Sequence, residues 1–202
     1  EAMTALGTAY AILDRHDDAR RIVVSCEAAS PGPMARQVLT YIHAAIACSA
    51  GETERARRLL TQSTTEQPVP AAQIWYEFLT GWSYLWEGRP AMAEQAVRPR
   101  YAGWEARFGR RGSSSAVLGG VLAGACWQQD LRDDARVLLA GRFDLLEQAS
   151  GYGGLVQAFL TMSRMATLDG DEVRALAYLE ALAAVGENRG MVRVVAASLT
   201  ER

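Results

Sequence analysis

Residues 6–31 read LGTAYAILDRHDDARRIVVSCEAASP, and the fold follows from how this stretch is parsed. An apolar segment runs into Asp14, a residue type that tolerates the left-handed backbone closing many helices. Asp17 and Asp18 come next, and acids in a first helical turn cap free N–H groups and oppose the helix dipole. A second apolar series starts at Ala19, continues one turn later at Val23 and stops by Pro31, which cannot extend a helix. Gly7 lies twelve residues before Ala19. The expected local structure is helix, tight turn, helix, with Gly7 and Ala19 small enough to let the two helices cross closely.

The pattern recurs four more times. Ala19 is followed in phase by Ala56, Ala93, Ala135 and Ala175, at spacings of 37, 37, 42 and 40 residues. Five residues before each alanine stands a turn-former: Asp14, Gly51, Gly88, Asp130 and Gly170. Twelve before stands a small residue: Gly7, Ala44, Gly81, Ala123 and Ser163. Four after stands an aliphatic: Val23, Leu60, Val97, Leu139 and Leu179. Glu52, Glu54, Asp133, Asp134, Asp171 and Glu172 repeat the acids after the turn, and Pro90 takes their place in the third repeat. Pro31 and Pro68 stand at the matching stop positions of the first two repeats. Several columns in phase mark a repeat architecture.

These columns resemble the tetratricopeptide pattern, most fully at Leu6, Gly7, Tyr10, Ala19, Val23 and Pro31, with periods above the usual ~34 residues. His43 and Thr80 stand where leucine is usual, and Arg100 and Arg142 where a small residue is usual. The resemblance implies an all-α, TPR-like α-solenoid, a superhelix of antiparallel helix pairs forming one array over residues 1–202. Pairs are expected at about 2–30, 34–67, 70–108, 113–150 and 152–186, with the first helix of a sixth from Arg189 on. Pro99 should kink the third pair's second helix, residues 109–115 read as a loop, and the glycines at 151–154 read as a flexible start to the fifth pair.

Composition narrows the function classes. Half of the 202 residues are apolar and the net charge is -2, so no global field draws in nucleic acid or an anionic membrane. The sequence holds no lysine, two histidines (His16 and His43) and three separated cysteines (Cys26, Cys48 and Cys126). The absence of lysine excludes a P-loop lysine, a Schiff-base lysine and a Ser-Lys dyad. No Cys/His cluster has metal-ligand spacing, so no metal is expected, and no nucleophile elbow is present, so the chain does not read as an enzyme. His43 reads as a buried, hydrogen-bonded histidine and His16 as part of a helix cap. The longest apolar run, residues 116–127, spans 12 residues, too short for a bilayer. A cytoplasmic location and an excised piece of a longer protein are the expected context.

Residues 84–202 resemble the helical-repeat region of the large ATP-dependent LuxR-type regulators, the MalT-like family. The residues that carry this are Leu85-Trp86-Glu87-Gly88 with Ala93, Leu138-Leu139-Ala140-Gly141-Arg142 with Leu145-Leu146-Glu147, and Gln157-Ala158 with Met165-Ala166. Gly170-Asp171, Ala175, Leu179, Leu182 and the stretch from Gly186 through Gly190 and Arg193 to Arg202 complete the set. What the resemblance implies is a modular transcription regulator. Its array senses a small inducer in a concave groove and couples it to oligomerisation. Its ATPase and helix-turn-helix modules, the implied partners, lie outside this chain, so ATP is expected only in the parent protein. The alternative reading is a protein-interaction scaffold that holds a peptide or partner helix in the same groove.

Two residue sets are candidate sites. Trp75, Phe78, Trp82, Leu85 and Trp86 share one face of a helix in the third repeat, by the 3.6-residue period. On the TPR phase that face lines the groove, to which Tyr41, Trp127, Gln128, Gln157 and Arg164 would add. Indole faces stack on flat ligands or sugar C–H surfaces, but aromatic side chains at such spacing also pack between helices. Arg98, Arg100, Arg107, Arg110 and Arg111, with Tyr101 and Trp104 among them, form a possible anion or partner patch. Arginine doing lysine's surface work is the alternative. Direct nucleic-acid binding is not expected. Either self-association through the array's cut end, or the last helix serving as its cap, is expected instead.

Overall fold

The structure is a computed structural model that describes residues 2–63 and 70–201. It is all-α, with twelve helices and no strand among the described residues. They are α1 (Ala2–Ile12), α2 (His16–Ala28), α3 (Pro33–Ser49), α4 (Thr53–Ser63), α5 (Pro70–Trp86) and α6 (Pro90–Phe108). The series continues with α7 (Ser113–Gln128), α8 (Arg132–Leu139), α9 (Phe143–Ala149), α10 (Tyr152–Leu168), α11 (Glu172–Arg189) and α12 (Val192–Thr200). Among the described residues no helix is long and apolar enough to cross a membrane.

One turn joins the members of each repeat. Asp14, Gly51, Gly88, Asp130 and Gly170 all adopt positive φ, between 62° and 81°. The residue after each donates its N–H to a carbonyl five positions back, as in Arg15 to Tyr10 at 2.8 Å and Asp171 to Ala166 at 2.9 Å. That 6→1 bond satisfies a carbonyl the helix end leaves free. Gly190 (φ 65°) builds a sixth such turn between α11 and α12.

The repeat columns are buried. Ala19, Ala56, Ala93 and Ala135 have no exposed surface, and Ala175 and all five aliphatics four residues on are also in the interior. The small column explains the close crossings. A Cβ on Gly7 would lie 3.0 Å from Ile22 of α2 and 2.9 Å from Ile42 of α3. A Cβ on Gly81 would lie 2.3 Å from Val97 of α6 and 2.9 Å from Val121 of α7. Each glycine therefore sits where a first helix meets both its own partner and the next first helix. Contacts run accordingly from α1 to α3, α5, α7, α10 and α12.

The chain's two ends meet. The carbonyl of Ile12 lies 2.9 Å from the Cβ position of Gly151. Asp14 Oδ1 accepts from Arg193 Nη1 at 2.9 Å, with His16 Nε2 2.7 Å from the same oxygen. The Arg193 guanidinium also lies over the Tyr152 ring, 4.3 Å from its centroid.

Several local expectations are corrected. The fourth repeat's second helix is broken into α8 and α9, with Gly141 left-handed at φ 67°. The break turns Arg142 inward, where Nη2 donates to Tyr101 Oη at 2.9 Å and Glu105 Oε1 at 2.8 Å. α7 already begins at Ser113, so the loop is only residues 109–112, and α6 carries Pro99 within its length. α11 extends to Arg189, so the last helix starts later than expected. The Gly151–Gly154 segment is not a loose start: α10 begins at Tyr152, and these glycines are small because neighbours press on them. Asp171 caps α11 by accepting from Arg174 N–H at 3.0 Å. The acids opening α2 and α8 make no cap bond, and Asp17, Asp18 and Asp133 pair with arginines one turn on. His43 is not buried: its ring is 40% exposed and bonds Glu27 at 2.9 Å. Pro68 lies outside the described residues.

Candidate functional site

α5 carries a continuous ladder of rings. Tyr41 of α3 meets Trp75 at 5.8 Å between centroids, Trp75 meets Phe78 at 6.2 Å, and Phe78 stacks on Trp82 at 6.2 Å. Trp82 then contacts Trp86 at 5.8 Å and Tyr152 of α10 at 6.1 Å. These edge and offset geometries are the favourable ones for aromatic pairs.

The rungs differ in burial. Trp82 is 7% exposed, whereas Trp86 is 49% exposed. Phe78 and Tyr41 are buried and Trp75 is half-buried. Trp82 is covered by α10: a Cβ on Gly153 would lie 2.3 Å from its indole, and one on Gly154 would lie 3.3 Å from the Phe78 ring. The glycines let α10 close over these rings.

The other end of the ladder opens on a cavity of about 1100 Å³ between α1, the end of α2, the connection to α3, and the start of α5. Thr8, Ala9, Cys26, Val38, Tyr41 and Trp75 are among its walls. None of the described lining residues carries a charge. Two of its hydroxyls are already bonded to their own helices, Thr8 to the Thr4 carbonyl and Ser25 to the Arg21 carbonyl, both at 3.0 Å. The Tyr41 hydroxyl makes no hydrogen bond to a described residue, and burial, with a smaller contribution from Cys48, pushes its phenol up from the ordinary range. Tyr41 therefore stays a neutral donor. Cys48 is also pushed up, to about 12, chiefly by burial.

The remaining sequence candidates do not gather at this cavity. Trp127 is half-buried against the core at the end of α7, and Gln128 beside it is exposed. Gln157 lies over Gly124 and reaches Thr161 at 3.3 Å. With Trp82, Trp86 and Tyr152 it lines a small cleft of about 80 Å³. Arg164 ties α10 to the end of α12 through Glu201, with Nη2 to Oε2 at 2.8 Å. The five arginines have five separate engagements. Arg98 pairs with Glu94 at 2.7 Å, Arg100 lies 3.8 Å from Glu77, and Arg107 lies over the Phe108 ring. Arg110 donates to the carbonyls of Val137 and Ala140, and Arg111 to the Gly141 carbonyl and to Asp144 at 2.6 Å. The last two brace the break between α8 and α9. Among the described residues no three His, Cys, Asp or Glu side chains converge as a metal site would need.

Sequence reasoning named Tyr41 and Trp75 but missed the opposite wall, because Thr8, Ala9, Ile12 and Val38 carry no chemistry by which a site is noticed. The readable signal was size: Ala5, Thr8 and Ala9 of α1 line the same cavity as Trp75 of α5. No family model, curated protein or solved structure matches the chain.

Proposed function

We propose that this chain is a TPR-like sensor array of a MalT-like, LuxR-type regulator, binding a small effector on the face built by its first helices. The five identical turns, the buried repeat columns and the succession of first-helix contacts support the solenoid reading. The observation that carries the effector reading is the cavity of about 1100 Å³ at the open end of the ladder, a volume suited to a drug-sized ligand. Because the two ends of the array touch at Asp14 and Arg193, an effector that moves α1 changes the contact with α12. A cytoplasmic parent with ATPase and helix-turn-helix modules would read that change.

Intrinsic tryptophan fluorescence of the full chain, titrated with neutral aromatics, oligosaccharides, aromatic acids and nucleotides, tests this reading. A saturable change carried by Trp75, and lost in Trp75→Phe, is expected. A silent panel would overturn it.

A second reading is favoured by α12. Val192 and Leu199 are exposed there, beside a cleft of about 470 Å³ reaching Gly186. This end suits self-association or a partner helix, the interaction-scaffold role. Light scattering across dilution should give a concentration-dependent mass that Val192→Asp abolishes. A constant monomer mass would remove this reading.

A further inference from the structure

The cavity's walls select a class of ligand, an inference that rests on the effector reading above. We propose that it takes a neutral, flat, largely apolar molecule with one hydrogen-bond acceptor, which receives the Tyr41 hydroxyl while its rings lie against Trp75.

Charge is the first argument. The described lining holds no arginine, acid or histidine, in a chain where 22% of residues are charged. A carboxylate or phosphate seated against Tyr41 and Trp75 would meet no counter-charge from the described lining, which is unfavourable wherever it gives up water. Nucleotides and aromatic acids are disfavoured on this ground.

Hydrogen bonding is the second. A sugar needs a partner for each buried hydroxyl. Here Thr8 and Ser25 are bonded to their own helices, Thr4 is also engaged, and Ser30 is exposed. Tyr41 is 4% exposed and without a hydrogen-bond partner among the described residues. One donor left open at the wall matches one acceptor, not a polyol.

Shape is the third. Trp75 and Tyr41 present tilted faces 5.8 Å apart between centroids. Pro31 and Pro33 stiffen the facing connection, since proline fixes its own φ. Ala5 and Ala9 of α1 complete the wall with little side chain of their own. Rigid rings opposite small residues make a slot for a planar body.

The test uses two fluorescent probes with the full chain. Prodan is a neutral two-ring ketone, and 8-anilinonaphthalene-1-sulfonate is an anion of similar size. Prodan should bind once per chain and at least about tenfold more tightly than the sulfonate, given the cost of an unpaired buried anion. Ala9→Trp, at an exposed position, should fill the cavity and abolish binding. Tyr41→Phe should weaken prodan by about two- to tenfold, the range for one neutral hydrogen bond, and shift its emission to the blue, with circular dichroism unchanged. Equal affinity for the sulfonate, indifference to Ala9→Trp, or an unchanged affinity and emission in Tyr41→Phe would each overturn the assignment. If it falls while an oligosaccharide still changes tryptophan fluorescence, the effector reading survives at another position. If no compound changes that fluorescence, both fall.

Discussion

The ring ladder on α5 ends in two different ways. Toward α10, Gly153 and Gly154 carry no side chain, and the helix closes over Trp82 and Phe78, which become core. Toward α1, the facing residues are Thr8 and Ala9, and a cavity of about 1100 Å³ remains in front of Trp75. The rings are similar and share one helix face. What separates packing from site is what the element opposite brings against the rings. Glycine permits the close approach that fills the space on one side, and the wall at Thr8 and Ala9 leaves it open on the other.

The largest expected effect breaks this contrast directly. Trp82→Ala should destabilise the chain by about 3–5 kcal/mol, as for a buried aromatic truncated in a packed core. Trp86→Ala, on an exposed ring, should stay within about 0.5 kcal/mol. Urea unfolding of both variants measures the difference, and equal losses would show that the two rungs are not distinct.

Gly153→Ala comes next. Its Cβ would overlap a rigid indole at 2.3 Å, so a loss of about 1–3 kcal/mol is expected from overpacking, with a shift in tryptophan emission. A neutral result would mean that α10 does not close on Trp82.

Asp14→Ala sharpens the comparison by releasing the contact between the two ends. It removes the acceptor for Arg193 and His16 and leaves alanine at φ 62°. A loss of about 1–3 kcal/mol follows from charged hydrogen bonds and left-handed strain. Hydrogen exchange should speed up in α12 and at the end of α1, while α5 stays protected. Uniform acceleration would contradict a local clasp.

The smallest effect is acidic. The hydrogen bond from Arg164 holds Glu201 below the usual carboxylate range, against the opposing effect of partial burial. A carboxylate whose folded value is depressed contributes stability that is present above its unfolded value and lost as pH falls through the folded one. Acidification below about pH 4.5, the ordinary value for this group, should therefore loosen α12 from α10. The pair is partly exposed, so the loss is under about 1 kcal/mol. Exchange in α12 should quicken with falling pH, and Glu201→Gln should remove that dependence.

The helical class and the repeat phase were legible because alanine, glycine and the turn-formers act through size and φ, which are properties of single residues. All five turns adopt the left-handed backbone that Asp14, Gly51, Gly88, Asp130 and Gly170 permit. The ladder's face was legible for the same reason, since spacing alone fixes it. The break after Leu139 was not, because the partners that hold Arg142 there, Tyr101 and Glu105, lie 41 and 37 residues away. The surface position of His43 was not legible, because its partner is Glu27 of the neighbouring helix α2 and solvent rather than core. The cavity was half legible. Its rings announced themselves, and its alanines did not.

The most direct measurement of the open end is alkylation of the cysteines by iodoacetamide in the native chain. Cys26 lines the cavity and is partly exposed, whereas Cys48 and Cys126 are buried with their thiols pushed up by burial, which suppresses the reactive thiolate. Cys26 should label alone, and saturating prodan should slow that labelling at least about tenfold. Labelling of Cys48 or Cys126 at a comparable rate, or a Cys26 rate untouched by bound prodan, would contradict an open cavity at this end of the ladder.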